Sequence, residues 1–220
     1  EWETALFAQR KRLADAKRAL VTKETKKALE DRRIATKKVA WFQGKLRDLN
    51  STESKPSDAR IFPMWYAPVV VMENDKLVIK PMRYHCRPNG KPEFYDKKFD
   101  GLYNARRDSL GKFWKGLFGK NHGVMIATSF YENVALHDFE KRELLPDEKP
   151  SNVVLHFNPD QTEYMLVACV WDRWQSPGKP DLLSFAAITD DPPVEVAATG
   201  HDRCIVPLRP ENVRAWLGPA

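Results

Sequence analysis

The sequence of 220 residues predicts an α+β protein with a mostly antiparallel, barrel-like β-sheet core surrounded by helices, and with a helical hairpin at the N-terminus. Three observations support this prediction. The first 50 residues contain no proline, and their apolar residues have helical spacing. From residue 60 onward, short runs rich in Val, Ile, Phe and Tyr appear, which is typical of strands. Pro, Gly, Asn and Asp separate these runs.

The apolar residues at the start of the chain lie on one side of a helix. Leu6, Leu13 and Leu20 are seven residues apart, and apolar residues recur at three- and four-residue intervals in 39–49. The polar stretch 22–27 separates the two runs. An antiparallel hairpin is therefore favoured over one long helix, which remains the alternative.

Basic charge is concentrated in this helical segment. Residues 1–50 carry 14 basic and 7 acidic side chains, a net charge of +7, in a chain whose total is +6. The following Ser-, Thr- and Pro-containing stretch is typical of a linker, so we predict a basic helical segment, 1–55, and an α+β domain, 56–220. The basic helices could contact nucleic acid, or they could be a solvated face whose apolar side packs on the domain.

The second domain contains the predicted strands and three shorter helices. Proline at the first helical position supports two of these helices, and the third, Ser109–Phe118, is predicted despite two glycines. The predicted strands are Ala67–Met72, Leu77–Tyr84, Gly123–Tyr131, Asn152–Phe157, Tyr164–Trp171, Leu182–Thr189 and Arg203–Leu208. The predicted short helices at proline are Pro192–Thr199 and Pro210–Leu217.

Composition excludes several classes of protein. The longest apolar run, Met165–Trp171, is far shorter than the about 20 residues that span a bilayer. Three scattered cysteines without CxxC spacing disfavour a disulfide scaffold and a thiolate zinc site. The five histidines show no HxH or HxxxH spacing, so we expect no metal and no cofactor. Without a signal-peptide pattern, the expected location is the cytoplasm.

Three polar clusters interrupt the apolar pattern, at residues 103–108, 129–133 and 200–203. Their Asn, Glu, His and Arg side chains are suited to orienting a substrate, to acid–base catalysis and to holding an anion. Each also has a structural explanation: Glu132 as a solvated carboxylate, His201 as part of a surface turn, and Arg106 as an exposed ion-pair partner. Composition alone therefore does not identify a site.

The order of five stretches, together with a closing Glu211 and Trp216-Leu217, carries more information than any one of them. The stretches are Pro63–Pro68, Pro81–Pro88, Asn104–Arg106, Ser129–Glu132, and His201–Arg203 followed by Ile205–Pro207. In this order they resemble the motifs N-x-A-P, M-x-W-G-L-x-P, N-A-R-x-E, G-F-Y-E-W and H-x-R-M-P of the SOS-response-associated peptidase family, also called abasic-site processing proteins. The resemblance covers about residues 60–217.

The chain also departs from the family pattern. Tyr66 replaces an Asn, Tyr84-His85 replaces Trp-Gly, Asp108 replaces a Glu, and Asn133 replaces a Trp. These differences indicate a divergent branch, in which the helical segment is an insertion.

The resemblance implies a function in DNA repair: covalent crosslinking to abasic sites in single-stranded DNA through a thiazolidine. It implies that Asn104 holds the nucleophile, that Glu132 is the acid–base group, and that His201 assists proton transfer or contacts phosphate. Arg106 and Arg203 would bind the DNA backbone. Abasic single-stranded DNA is the expected partner of a monomer that is associated with the nucleoid when it is bound.

The resemblance also assigns two further DNA contacts, Tyr84 and Pro68. The family's nucleophile is a cysteine exposed by removal of the initiator methionine, hence the peptidase activity, and a lyase side reaction through an imine is also implied. Cys86, Cys169 and Cys204 are internal, and the chain begins at Glu1. We therefore expect the nucleophile to lie upstream of Glu1.

Two other functions remain open from the sequence. The first is a non-catalytic module that binds single-stranded DNA by stacking bases on Trp65, Tyr66, Tyr84 and Phe130. The second is a Cys–His hydrolase, which would combine His201 with one of the loop or strand-end cysteines, Cys86 or Cys204.

Overall fold

The structure, a computed structural model, describes residues 2–53, 55–160 and 162–218. They form two units, one extending to Arg60 and the other beginning at Ile61. Within the described part of the chain, no helix is long and apolar enough to cross a membrane.

The first unit is the predicted helical hairpin, which the structure confirms. Helix α1 (Trp2–Thr22) and helix α2 (Lys26–Leu49) are separated by three residues. Thr25 ends the turn and caps α2, since its hydroxyl accepts the Ala28 N–H at 3.2 Å. Arg12 of α1 forms an ion pair with Asp31 of α2, which fixes the helices side by side.

The second unit is built mainly from strands. Its strands and helices are β1 (Tyr66–Glu73), β2 (Lys76–Tyr84), α3 (Tyr95–Lys98), β3 (Asn104–Arg106), β4 (His122–Ala127), β5 (Phe130–Ala135), α4 (Leu136–Phe139), β6 (Asn152–Phe157), β7 (Met165–Trp174), β8 (Leu182–Asp190), α5 (Val194–Ala197), β9 (Cys204–Ile205), β10 (Pro207–Leu208) and α6 (Val213–Leu217). Short 3-10 turns occupy Pro56–Ala59, Arg107–Ser109 and Pro210–Asn212.

Five of these strands close into a barrel, which confirms the predicted fold class. The strand order is β7-β4-β1-β2-β8, and β8 pairs again with β7. All of these pairings are antiparallel except β2–β8, which is parallel. β3 and β9 extend the sheet from β8, and β10 pairs with β7. β5 and β6 form a separate antiparallel ribbon.

Alternating side chains along the barrel strands supply two apolar layers. Val167 and Cys169 of β7 point into the barrel together with Phe185 of β8. The intervening residues Ala168 and Val170 belong to an outer layer. That outer layer also contains Leu110, Trp114 and Leu117 from the segment before β4.

Gly123 of β4 is required by the packing of the barrel. A Cβ at this position would lie 2.8 Å from Val69 Cγ1 and 3.2 Å from Cys169 Sγ. Gly123→Ala should therefore lower the free energy of unfolding by about 1–3 kcal/mol, measured by urea denaturation. Gly101→Ala is the control, because no atom lies within 4 Å of its added Cβ. Equal stability of the two variants would contradict this packing argument.

Two predicted strands are each divided in the structure. The predicted strand Gly123–Tyr131 is wrong as a single element, because β4 ends at Ala127 and β5 begins at Phe130 with a different partner, β6. The predicted strand Arg203–Leu208 is divided at Val206. The N–H of Val206 donates to the Ile188 carbonyl, and its own carbonyl accepts the Ala168 N–H, so the chain passes here from β8 to β7.

The predicted helix Ser109–Phe118 is also wrong. These residues form successive turns, in which Leu117 N–H and Phe118 N–H both donate to the Trp114 carbonyl. Each of the two glycines in these ten residues disfavours a helix by about 1 kcal/mol. The turns bury Trp114 although they do not form a helix. The other short helices are confirmed in shorter form, as α5 and as a 3-10 turn followed by α6.

Candidate active site

A carboxyl–imidazole pair lies where β5 meets the loop before β9. Glu132 Oε2 is 3.0 Å from His201 Nε2, and both side chains are about three-quarters buried. Gly200 precedes His201 and has a φ of +88°, which favours glycine. A Cβ at this position would also lie only 3.2 Å from Asp138 Cβ. The positive φ and the close contact fix the loop that presents His201.

The environment of this pair favours proton transfer. Burial raises the pKa of Glu132, the charge of His201 opposes that rise, and Asp202 adds to it. His201 Nδ1 lies 2.8 Å from the Arg203 carbonyl oxygen and 3.2 Å from the Arg203 backbone nitrogen, and we assign a proton to Nδ1 because the contact with the carbonyl is the shorter one. The Nε2 atom then faces Glu132 Oε2 with one proton shared between them. A carboxyl with a raised pKa beside an imidazole is suited to donate and accept protons.

Asn104 and Tyr84 adjoin this pair. β3 pairs with β8 at Asn104 and Ala187, and the Tyr84 hydroxyl donates to Asn104 Oδ1 at 3.4 Å. Burial raises the pKa of Tyr84, and the charges of Tyr103 and Glu132 raise it further. The phenol therefore stays protonated as a donor, and its sensitivity to Glu132 places the two groups within electrostatic range. Within the described part of the chain the Asn104 amide N–H groups donate no hydrogen bond, so they can bind another acceptor.

Arg106 and Arg203 line a depression of about 540 Å³, whose wall also contains Arg107, Thr189 and three aspartates, Asp108, Asp190 and Asp191. Arg106 Nε is 3.2 Å from the exposed carboxylate of Asp108. Arg107 Nη1 is 2.6 Å from Asp190 Oδ2. Such surface ion pairs are weak, so a phosphate could replace the carboxylates at little cost.

Two buried polar atoms in this depression make no hydrogen bond within the described residues, Thr189 Oγ1 and Arg203 Nε, although Arg203 Nε lies 3.5 Å from the carboxylate of its ion-pair partner Asp202. The Thr189 hydroxyl is therefore left as a donor for an anion that enters the depression. Arg107 lies in the polar cluster 103–108 that the sequence indicated, but it was not among the predicted site residues. Thr189 was predicted only as the end of a strand, and the sequence carries no signal that it lines a site.

The predicted residues thus fall into three places. Tyr84, Asn104, Glu132 and His201 lie together, and Arg106 and Arg203 share the adjacent depression, since Arg203 follows His201 by two residues. Pro68 lies elsewhere on β1, opposite Pro81, and is exposed because its neighbours Ala67 and Val69 face the barrel interior. Tyr84, which was predicted as a DNA contact, is half-buried, and its hydroxyl contacts Asn104.

All three cysteines are buried, and Cys204 lies within electrostatic range of Glu132. Burial raises the pKa of Cys86 and of Cys169, and burial followed by the charge of Glu132 raises the pKa of Cys204 to about 11. All three thiols are therefore protonated at neutral pH and are poor nucleophiles. Because His201 Nε2 faces Glu132, the structure offers no support for a Cys–His hydrolase. In the described residues no group of three or more His, Cys, Asp or Glu could hold a metal ion.

Comparison with known proteins extends these findings. The family model described as SOS response associated peptidase (SRAP) matches residues 16–220, so the resemblance carried by the motifs is confirmed. No curated protein matches the chain.

Solved structures of the same fold include bacterial proteins. One from Bacteroides thetaiotaomicron has a TM-score of 0.58 and 16% identity, over 71% of this chain and 64% of that chain. This chain thus spans less than two thirds of that protein. One from Bordetella bronchiseptica has a TM-score of 0.59 and 18% identity, and the match covers 80% of this chain and 85% of that chain. A phage-related protein of the same organism has a TM-score of 0.52 and 22% identity, and the match covers 72% of this chain and 68% of that chain. At these identities the likeness establishes the fold alone.

Proposed function

The chain belongs to the SOS response associated peptidase family, and on that premise we propose that it binds single-stranded DNA and crosslinks covalently to abasic sites. Family membership makes it a DNA-damage-associated SRAP-domain protein. The crosslink, the single-strand binding and the autocatalytic removal of an initiator methionine are the parts that we propose.

The observation that carries the proposal is the 3.0 Å contact between Glu132 and His201, beside Asn104 and next to the depression lined by arginines. An abasic deoxyribose exposes an aldehyde when its ring opens. Opening the sugar ring and capturing the aldehyde both require proton transfer to or from an oxygen atom of the sugar. The proton shared by the Glu132 carboxyl and the His201 imidazole can serve this transfer. The arginines supply the positive charge that the flanking phosphates require.

The proposed reaction begins with addition of an α-amine to the aldehyde carbon. An α-amine has a pKa near 7.7–8.0, so a substantial fraction is neutral at pH 7. Glu132 protonates the carbinolamine oxygen, which leaves as water and gives an imine. The thiol of the same cysteine then adds to the imine carbon, and its proton goes to the nitrogen. The product is a five-membered thiazolidine, and Asn104 orients the cysteine through its free amide N–H groups.

This chemistry needs amine and thiol on adjacent carbons of one residue. The nitrogens of Cys86, Cys169 and Cys204 are in peptide bonds, so none of these residues can form a thiazolidine. The proposal therefore requires an N-terminal cysteine that precedes Glu1 in the full-length protein. Intact-mass measurement and N-terminal sequencing of protein expressed from its native start codon test this requirement. A mature N-terminus other than cysteine would refute it.

Arg106→Ala should weaken single-strand binding rather than slow the chemistry. Loss of one phosphate contact lowers the slope of log K against log salt by about 0.7, and weakens binding about 5-fold at 0.1 M salt. The measurement is fluorescence anisotropy over a salt series. Arg173→Ala is the control, because Arg173 is also an exposed arginine in a surface ion pair, with Asp181. An unchanged slope in Arg106→Ala would contradict the phosphate-binding role.

A second candidate function is a non-catalytic module that binds single-stranded DNA. Specific support comes from Trp65 and Tyr66, which are 47% and 61% exposed, together with the burial of all three thiols. Exposed aromatic rings can stack bases without any covalent step. Tight binding of single-stranded DNA, with no heat-stable adduct on abasic DNA, would favour this function.

A further inference from the structure

The helical hairpin buries only some of its apolar residues, and Phe7 and Trp41 are 72% and 52% exposed. The buried hydrophobic residues of the two helices are Leu6 and Ala16 in α1 and Ala28 and Ala35 in α2. Helix α2 is strongly basic, since its 24 residues carry eight basic and three acidic side chains. Its exposed residues are therefore candidates for contact with a polyanion.

One face of α2 collects basic residues around a tryptophan. Lys26, Arg33, Lys37, Trp41 and Lys45 follow one another at seven- and four-residue intervals, so they share one side of the helix; we call them the basic face. At 1.5 Å per residue, this face is about 28 Å long. Within the described ranges, neither Lys26 nor Lys37 forms an ion pair, whereas Arg33 pairs with Glu30.

Trp41 lies on this face as an available aromatic ring. It is 52% exposed, and Lys45 Nζ is 5.8 Å from its ring centroid. Trp2 and Phe42 contact it at interplanar angles of 72° and 78°. Within residues 2–53 no other ring stacks parallel on Trp41, so the parallel stacking geometry that a base adopts is unoccupied.

We propose that the basic face of α2 binds single-stranded nucleic acid, with its lysines on the phosphates and a base stacked on Trp41. Proteins that bind single strands combine positive charges with exposed aromatic rings. An unpaired base can stack on such a ring, whereas the bases of a duplex are already stacked on one another. The inference rests on the proposed function for its substrate class. It adds a contact surface outside the site that contains Glu132.

The test measures affinity separately from chemistry. Full-length protein is titrated into a fluorescent 30-residue oligothymidine without an abasic site, over a salt series. Lys26→Gln/Lys37→Gln should lower the salt slope by about 1.4 and weaken binding about 25-fold at 0.1 M salt. The control is Lys112→Gln/Lys115→Gln, an equal charge change at two exposed lysines of the second unit. Circular dichroism checks that helicity is retained.

A second variant tests the stacking step. Trp41→Ala should weaken binding to the oligothymidine by at least about 5-fold, whereas Trp41→Phe should retain most of the affinity. The effect should be smaller on a duplex of the same length. An equal effect on the duplex would overturn the assignment to single strands.

The outcomes separate this inference from the proposed function. Unchanged affinity and slope in Lys26→Gln/Lys37→Gln would overturn the inference, even if abasic DNA is crosslinked. Equal losses in that variant and in the lysine control would also overturn it, since they would reflect net charge alone. A selective loss without any crosslinking to abasic DNA would support the basic face and overturn the covalent chemistry.

Discussion

Glu132→Gln should slow crosslinking to abasic single-stranded DNA by about 10²–10⁴-fold, while affinity for the same DNA changes by less than about 2-fold. Glutamine keeps the size of the side chain and can still contact His201, but it has no carboxyl proton to transfer. The rate is measured from single-turnover time courses on denaturing gels, and affinity from anisotropy.

The pH profile gives this prediction a second readout. Below about pH 8 the attacking α-amine becomes protonated, so the crosslinking rate falls as the pH falls. Burial raises the pKa of Glu132, so the acid remains protonated to a higher pH than an ordinary carboxyl, and the rate falls again above that pKa. Wild type should therefore give a bell-shaped profile, and Glu132→Gln should lose the alkaline decrease.

A matched control separates this role from a general loss of charge. Glu163→Gln removes an exposed carboxylate and should leave both rate and affinity unchanged. If Glu132→Gln instead lost affinity in proportion to rate, Glu132 would have a structural role, and the acid–base assignment would fail.

Asp96→Ala should lower the free energy of unfolding by about 3–5 kcal/mol, the largest expected effect on stability. Asp96 accepts hydrogen bonds from Arg83 at 2.8 and 3.1 Å and from Arg87 at 3.1 Å, and all three side chains are at most 9% exposed. Removing the carboxylate leaves two buried guanidinium groups without their shared partner. The loss is measured by urea denaturation.

The same cluster should govern acid unfolding. Burial alone would raise the pKa of Asp96, but hydrogen bonds from Arg87 and Arg83 outweigh burial and lower the pKa to about 2. A carboxyl with a lowered pKa stabilises the fold above its unfolded pKa of about 3.9, and this stabilisation is lost as the pH falls towards 2. Wild type should lose stability across this range, and Asp96→Asn should lose less.

The control for Asp96 is its exposed neighbour Asp100. Asp100→Ala should change stability by less than about 0.5 kcal/mol. A similar small change in Asp96→Ala would contradict the importance of the buried cluster. Because Arg83 also donates to the His85 carbonyl at 3.0 Å, Asp96→Ala should in addition loosen the backbone that presents Tyr84.

Local sequence patterns predicted much of the fold, because helical spacing and strand alternation depend on residues that are close together in the chain. Alternating small and branched residues in β7 and β8 match their two buried layers, and the hairpin follows from leucine spacing and the break near Thr25. The change of partner between β4 and β5 was missed, because a continuous apolar run shows which residues are extended but not with which strand they pair.

The contacts in the candidate site were even harder to predict from local sequence patterns than the pairing of the strands. Motif order identified Glu132 and His201, but their 3.0 Å contact joins residues 69 positions apart and depends on the fold. The Asp96 cluster had no sequence signal at all, since Arg83, Arg87 and Asp96 have neither strand nor helix spacing as a set. His85, which stands where the family motif has glycine, has a φ of +141°, a backbone conformation that favours glycine.

The most direct test of the proposed function uses full-length protein from its native start codon, with an N-terminal cysteine verified by mass. It is incubated with single-stranded DNA that carries one abasic site and analysed on a denaturing gel after heating. We predict a heat-stable shifted band for wild type that Asn104→Ala and Glu132→Gln form far more slowly. Absence of the band from the wild-type protein would contradict the proposed crosslinking function.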